Sequence, residues 1–157
     1  MKRIKLSQGK FALVDDEDFK RISMFEWYAA KNRHTWYARR SINKTRYIGM
    51  HHEVMRTSSS VQHDHKNGNG LDNRKDNLRP CNHSQNRMNC RKIKGTTSKY
   101  KGVSFNKKDK RWCVTIGLNN RHFFVGNFTD EKEAALAYNK AAKVHFSDRA
   151  KLNIIHS

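Results

Sequence analysis

Acidic residues are scarce in this chain of 157 residues, where 14 Asp and Glu stand against 33 Lys and Arg and leave a formal net charge of +19. The excess is spread along the chain, with net charges of +7 for residues 1–60, +5 for 61–95 and +7 for 96–157. A surface that is basic throughout attracts polyanions through Coulomb forces and counterion release. Because charge for solubility alone usually mixes both signs more evenly, the sequence favours a protein that follows a phosphate backbone.

Cysteines are also few, and they show no paired spacing. Cys81, Cys90 and Cys113 are odd in number and contain no CxxC pair. Disulfide frameworks and structural zinc sites normally show such pairs, so the three residues are predicted to be free thiols in a reducing compartment. A metal site formed by Cys81, His83 and Cys90 is the less favoured alternative.

Long apolar runs are absent as well. No segment approaches the roughly 18 apolar residues of a membrane-spanning helix, and no apolar signal-peptide core follows the basic N-terminus. We therefore expect an intracellular protein that is not secreted and has no membrane partner. The length suits one domain or two small ones with a modest core.

Residues 1–60 are predicted to form a β-rich N-terminal region. The alternation of apolar and polar residues around a Gln-Gly pair predicts a hairpin over 4–14. Four consecutive acids then favour a short helix over about 16–25, because carboxylates oppose the positive end of a helix dipole. The aromatic residues of 27–47 suit two or three antiparallel strands, and 48–56 is either a further strand or the start of a helix.

The C-terminal part, 100–157, has the clearest pattern. Apolar residues alternate strictly over 112–118, which is the period of a half-buried strand. Further strands are predicted near 100–105 and 121–128, followed by a strong helix former that begins near residue 131. The helix face predicted to lie on the sheet consists of Ala134, Ala137, Tyr138, Ala141 and Val144. The basic, polar segment 91–99 is predicted to be a linker.

The polar stretch between these parts is rich in ligand-type side chains. Residues Gln62–Asn89 contain three histidines, three aspartates, seven asparagines and two glycines. Phosphodiester hydrolysis needs an activated water and a cation that neutralises the phosphate, and Mg²⁺ needs only one or two protein oxygen ligands. Asp64 supplies a carboxylate, Asn86 an amide oxygen, and His65 a base that titrates near neutrality. His63, His83 and Asn89 remain alternative site residues.

This stretch resembles the HNH endonucleases of phages and introns over Val61–Asn89. The resemblance is carried by Asp64-His65, Asn67-Gly68, Leu71-Asp72-Asn73-Arg74, Asn77-Leu78-Arg79 and Gln85-Asn86. It implies a ββα-metal motif over 61–90, Mg²⁺ or Mn²⁺ bound by Asp64 and Asn86, His65 as general base and Asn77 as the residue that holds the loop. It also implies a bacterial or phage-infected cytoplasm. Arg74, Arg79 and Arg87 are then expected to hold phosphates, or alternatively to pair with Asp72 and Asp76.

Residues 100–155 resemble the AP2 (ERF-type) DNA-binding domain. The matching motifs are Tyr100-Lys101-Gly102-Val103, Trp112, Val125-Gly126-Asn127-Phe128, the run from Glu133 to Asn139 and Leu152-Asn153. The resemblance implies a sheet that lies in the major groove. Its candidate DNA contacts are Lys101, Ser104, Asn106, Thr115, Arg121, His122 and Phe124. Ser104 replaces the usual arginine and Phe124 the usual tryptophan, so the family's target preference does not transfer.

Together these patterns predict an α+β protein in which a nuclease part is joined to a three-stranded antiparallel sheet packed on one helix. The expected function is metal-dependent endonucleolytic cleavage of double-stranded DNA at sites that the sheet selects. The alternative is a non-catalytic, sequence-preferring DNA-binding protein with a degenerate metal motif. A single metal site cuts one strand per visit, so a homodimer is one route to double-strand cleavage.

Overall fold

The computed structural model describes residues 1–32, 35–90, 95–119 and 121–156, and the chain divides into two compact units, Met1–Asn86 and Arg87–Ser157. Within the described residues it contains four α-helices and four small antiparallel sheets, which confirms the predicted α+β class. Part of the predicted linker 91–99, residues 91–94, lies outside the described residues. In the part of the chain that the structure describes, no helix is both long and apolar enough to cross a bilayer.

The first unit consists of short strands and short helices. Its elements are β1 (Lys2–Lys5), β2 (Phe11–Val14), α1 (Asp16–Ile22), β3 (Tyr28–Lys31), β4 (Trp36–Ser41), β5 (Tyr47–Gly49), α2 (Met50–Met55), β6 (Gln62–His65), a 3-10 turn (Lys75–Asn77), β7 (Leu78–Cys81) and α3 (His83–Asn89), which contains the boundary with the second unit. Strands β1 and β2 form one sheet, β3, β4 and β5 a second, and β6 and β7 a third.

Most of the predicted local structure of this unit is confirmed. The first hairpin turns at Gln8 and Gly9, whose φ angles are 59° and 65°, and three strands occupy the aromatic stretch. Residues 48–56 contain both alternatives, since β5 ends at Gly49 and α2 follows. Helix α1 ends at Ile22, three residues earlier than predicted, because the indole N–H of Trp27 donates to the Ile22 carbonyl over 2.8 Å and the chain turns there.

A hydrophobic core lies between the hairpin, the second sheet and the two short helices. Its buried members are Ile4, Leu6, Ala12, Val14, Ile22, Trp27, Ala29, Ala38, Met50, Val54 and Leu78. The backbone of β2 also contacts the loop that follows β6. Leu13 N–H donates to the Leu71 carbonyl over 2.8 Å, and Asn73 N–H donates to the Leu13 carbonyl over 2.8 Å. The polar loop is therefore hydrogen-bonded to the edge of the first hairpin.

The second unit is a three-stranded antiparallel sheet with one long helix. Its elements are β8 (Val103–Asn106), β9 (Arg111–Leu118), β10 (Arg121–Phe128), α4 (Glu131–Phe146) and a final 3-10 turn (Ser147–Arg149). The strand order β10-β9-β8 places β9 in the centre. Val114 and Ile116 are buried beneath α4, and the Asp130 side chain caps the helix by accepting from Glu133 N–H over 2.8 Å.

The prediction of which residues of α4 lie on the sheet is partly wrong. Val144 is 73% exposed, whereas Ala142 and Phe146 are buried with Tyr138. Tyr138, Ala142 and Phe146 follow one another at intervals of four residues, so the large Phe146 ring determines which stripe of the helix meets the sheet. Val144 consequently lies on the solvent side.

Candidate functional site

Strand β6, a long loop, strand β7 and helix α3 follow one another in the predicted order. The two strands are antiparallel, with Asp64 opposite Arg79 and His65 opposite Leu78. Asn82 and Gln85 begin α3 with reciprocal bonds: Gln85 N–H donates to Asn82 Oδ1 over 2.8 Å, and Asn82 N–H donates to Gln85 Oε1 over 3.0 Å. This capping box sets the start of the helix that carries Asn86.

Asn77 closes the loop between the two strands. Its side-chain amide donates to the Asp72 carbonyl over 2.7 Å, and its Oδ1 accepts from Asn67 N–H over 3.0 Å. Its backbone carbonyl also accepts from Lys66 N–H over 2.9 Å. One buried side chain at the end of the loop thus bonds to its beginning and its middle, and replacing it would leave the buried Asp72 carbonyl without this partner.

His65 ends β6 inside the first unit and is 5% exposed. Its Nε2 lies 3.4 Å from Asn73 Oδ1, and its ring lies 5.6 Å from that of Tyr37 and 5.5 Å from that of His51, measured between centroids. Burial lowers the pKa of His65, although the Asn73 contact opposes this shift. The imidazole is therefore neutral at pH 7, which is the form that accepts a proton.

Asp64, next to His65, lies in a different environment. Its Oδ2 accepts from Arg79 Nε over 3.0 Å and from an Arg79 terminal nitrogen over 2.9 Å, and both side chains are buried. Successive strand residues point to opposite faces, so His63 and His65 share one face of β6 and Asp64 points to the other. The structure pairs the predicted metal ligand Asp64 with Arg79, one of the predicted phosphate contacts.

Arg74 also forms an ion pair, with Asp72. The sequence had left this pairing open as the alternative to phosphate binding. The Nε of Arg74 donates to Asp72 Oδ1 over 2.8 Å and its terminal nitrogen to Asp72 Oδ2 over 2.7 Å, in a bidentate pair. Hydrogen bonds from Arg74 hold the pKa of Asp72 below its ordinary value, with burial acting in the opposite direction. The Arg74 side chain is still 39% exposed, whereas that of Asp72 is 3% exposed.

The remaining candidates of this stretch lie on α3. Asn86 is half-buried and belongs to the first unit together with Asp64, His65 and Asn77. Arg87 is exposed and His83 lies exposed at the start of the helix. Arg87 and Asn89 belong to the second unit.

The predicted DNA contacts of the second unit fall mostly on one face of its sheet. Ser104 lies opposite Cys113 and Asn106 opposite Arg111. Across the next ladder, Phe124 lies opposite Thr115 and His122 opposite Gly117. Residues that face each other in an antiparallel pair share a side of the sheet, and Val114 and Ile116 occupy the side beneath α4. We call the opposite side, formed by Ser104, Asn106, Arg111, Cys113, Thr115, Gly117, His122, Phe124 and Asn127, the outer face.

Two of the predicted DNA contacts, Arg121 and Lys101, do not belong to the outer face. Arg121 is exposed but lies opposite Leu118, on the side of the sheet that α4 covers. The Lys101 ammonium donates to the carbonyls of Met88, Cys90 and Arg87 over 2.6, 2.9 and 3.4 Å. Burial lowers the pKa of Lys101 to about 8, with the charge of Cys90 opposing this shift and that of Lys151 adding to it. Lys101 therefore caps the end of α3 in this structure.

Sequence reasoning missed two histidines that lie beside the candidate site. His51 and His52 open α2, and their ligating nitrogens lie within 4.8 Å of one another and of His63. The signal in the sequence was the adjacent histidine pair itself, but nothing local connects it to β6. Cys81, Cys90 and Cys113 form no disulfide with one another, as their spacing predicted.

Among known proteins, no family model and no solved structure matches this chain.

Proposed function

We propose that the chain is a metal-dependent endonuclease of double-stranded DNA, with the first unit cleaving the phosphodiester bond and the second unit selecting the site. One observation carries this proposal: Asn77 closes the polar loop through its side chain, and the buried, neutral His65 lies at the end of the strand that enters the loop. The resemblance to HNH endonucleases implies such positions for His65 as the general base and for Asn77 as the residue that holds the loop.

Asp64 and Asn86 are the residues that would hold the metal. One carboxylate and one amide oxygen form a donor set for a hard cation such as Mg²⁺, with Mn²⁺ as a substitute. Arg79 bonds to one carboxylate oxygen of Asp64, so the cation would share this carboxylate with Arg79 or displace it. When bound, the cation neutralises charge on the scissile phosphate and stabilises the leaving 3′ oxygen.

His65 would act as the general base. In the tautomer that donates from Nε2 to Asn73 Oδ1, Nδ1 is the basic nitrogen of His65. Nδ1 takes a proton from water as the water oxygen attacks phosphorus, and the bond to the 3′ oxygen breaks. Asn77 acts indirectly, because it holds the loop on which Asn73 lies.

The outer face of the second unit would supply the DNA contacts that choose the site. It carries hydroxyl, amide, imidazole and aromatic side chains and has no carboxylate among its nine residues. A sheet of this width fits the major groove, which is roughly 12 Å wide. Exposed cations at Arg87 and Arg121 would add phosphate contacts.

A second function, binding without cleavage, is favoured by one contact. The buried pair of Asp64 and Arg79 already balances the charge of the carboxylate that a cation would need. In that case the first unit would be a structural support for a DNA-binding sheet.

The direct test is nicking of supercoiled plasmid or a genomic DNA library with Mg²⁺ or Mn²⁺ added and withheld. His65→Ala should reduce the cleavage rate by about 100-fold or more, as expected for loss of a general base. His145→Ala is the matched control, because His145 is an exposed histidine of α4. Asp64→Asn tests the metal ligand better than alanine does, since it keeps a partner for the buried Arg79.

Equal cleavage by wild type and His65→Ala would exclude the assignment of His65. Tight binding by the wild type with no cleavage in either metal would establish the non-catalytic function instead. The ratio of nicked to linear product, followed against protein concentration, shows whether two copies act together.

A further inference from the structure

Three histidines of the first unit converge from two elements. His51 and His52 lie on α2, and His63 lies on β6. Their ring centroids are separated by 4.3 Å for His51 and His52, 5.2 Å for His52 and His63, and 5.8 Å for His51 and His63. One nitrogen from each ring lies within 4.8 Å of the corresponding nitrogens of the other two.

The fold makes room for this cluster at Gly49. A Cβ at this position would lie 2.5 Å from Cε1 of His51, so any larger residue would displace the ring. Thr57, which follows α2, places its hydroxyl oxygen 3.4 Å from His63 Nε2 on the other side of the cluster. His51 and His52 are half-buried and His63 is 8% exposed, which leaves the cluster partly accessible.

The cluster contains a polar atom that the protein does not satisfy. Nδ1 of His52 is buried and has no hydrogen-bond partner among the described residues. A buried polar atom without a partner destabilises the fold. Protonation would not remove this penalty, because it would place positive charges on rings about 5 Å apart.

We propose that His51, His52 and His63 form a site for a borderline transition-metal cation of the Zn²⁺ class. Neutral imidazole is the ligand that such cations prefer, and three imidazoles leave a fourth position for water. The site is separate from the oxygen donors Asp64 and Asn86 and does not depend on the proposed endonuclease function. Nitrogen ligands of tetrahedral zinc lie about 3.4 Å apart, so binding draws the three rings closer together.

A metal at this cluster would also have a structural effect. A bound cation would connect α2 to β6 and fix the His51 ring, which borders His65.

The test uses the full chain stripped with a chelator and titrated with Co²⁺, whose tetrahedral complexes absorb visible light. We expect one equivalent to bind with an intense visible band that Zn²⁺ abolishes and Mg²⁺ does not. His52→Gln and His63→Gln should each weaken Co²⁺ binding by roughly 100-fold, since even indirect changes near a metal weaken binding 10- to 100-fold. His145→Gln is the matched control, because His145 is an exposed histidine of α4.

A measurement on the wild type covers the case in which these variants do not fold. Zn²⁺ should raise the unfolding temperature of the wild type and shift the imidazole ¹⁵N resonances of three histidines, as observed by NMR. Unchanged Co²⁺ affinity in folded His52→Gln and His63→Gln would overturn the proposal. So would a weak octahedral spectrum, or imidazole resonances that do not respond to Zn²⁺.

Discussion

At the scale of single residues, the contacts of Gly102 explain why the motif Tyr100-Lys101-Gly102-Val103 contains a glycine. Its φ is +74°, and a Cβ there would lie 2.1 Å from Cδ2 of Tyr138 and 2.8 Å from the Thr115 carbonyl oxygen. The Thr115 N–H donates to the Gly102 carbonyl over 2.9 Å. The glycine therefore allows the chain before β8 to lie directly against both the sheet and α4.

Gly102→Ala should destabilise the second unit by about 3 kcal/mol, which combines the strain of a positive φ with steric overlap. Gly95→Ala is the matched control: Gly95 has φ +85°, but a Cβ added to it would meet no atom within 4 Å. It should cost only about 1 kcal/mol. Chemical denaturation of the full chain, followed by circular dichroism and tryptophan fluorescence, measures both. Equal losses would show that contact with Tyr138 is unimportant.

The contacts of the polar stretch were only partly foreseeable from its residues. The role of Asn77 as the residue that holds the loop was implied by the resemblance to HNH endonucleases and stays a prediction, although its side chain bonds to Asn67 and Asp72. The partner of Arg79 was missed, because the pairing with Asp64 depends on the register of β6 and β7. The sequence shows which charged residues are present, but the strand register determines which of them lie opposite each other.

At the scale of elements, β10 is an edge strand with an unusual amount of exposed apolar surface. Phe124 is 63% exposed, Phe123 46% and Val125 36%, and the register shifts between Phe124 and Gly126. A bulge at a sheet edge often re-aims a side chain. Here Phe124 lies on the outer face with His122 beside it along the same strand.

On the proposed function, Phe124→Ala should weaken binding to a preferred DNA site by roughly tenfold, similar to the cost of about 1–3 kcal/mol for one mismatched base pair in a specific site. Leu136→Ala is the control, because Leu136 is 58% exposed on α4 and lies away from the outer face. Fluorescence anisotropy with labelled duplexes gives both affinities. A larger loss in Leu136→Ala would place the DNA contact on the helix.

The elements of the second unit were predictable because their signals are local. The alternation over 112–118 and the alanine-rich run after residue 131 appear as β9 and α4. The exact residues of α4 that face the sheet were not predictable. The spacing of apolar residues does not show that Phe146, and not Val144, packs into the core. In the same way, α1 ends early through a contact with Trp27 that lies beyond the helix.

At the scale of the whole molecule, the excess of 33 basic over 14 acidic residues should make DNA binding strongly salt-dependent. Each phosphate contact contributes about 0.9 to the slope of log K against log salt. Arg111→Gln should lower that slope by about 1, since Arg111 is exposed on the outer face at the start of β9. Lys132→Gln removes the same charge from α4 and should change the slope less. Identical slopes in wild type and Arg111→Gln would remove Arg111 from the interface.

The histidine cluster also belongs to this scale, because its third member, His63, cannot be connected locally to the adjacent pair. His51 and His52 lie in α2 and His63 lies in β6. Only the folding of the first unit brings the three rings together. The adjacent pair could have been noticed, but its partner could not have been named from spacing.

The hydrogen bonds between Leu13 and the polar loop have a consequence for engineering. The same loop receives support from Thr35, whose hydroxyl accepts from Gly70 N–H over 3.0 Å, and a Cβ at Gly70 would lie 2.6 Å from the Tyr37 ring. Residues 61–90 are thus held in shape by segments up to 60 positions away, as in the bond from Lys75 N–H to the Asp15 carboxylate. Grafted alone onto another scaffold, this stretch would lose its loop geometry, so the smallest transplantable cassette is the whole first unit.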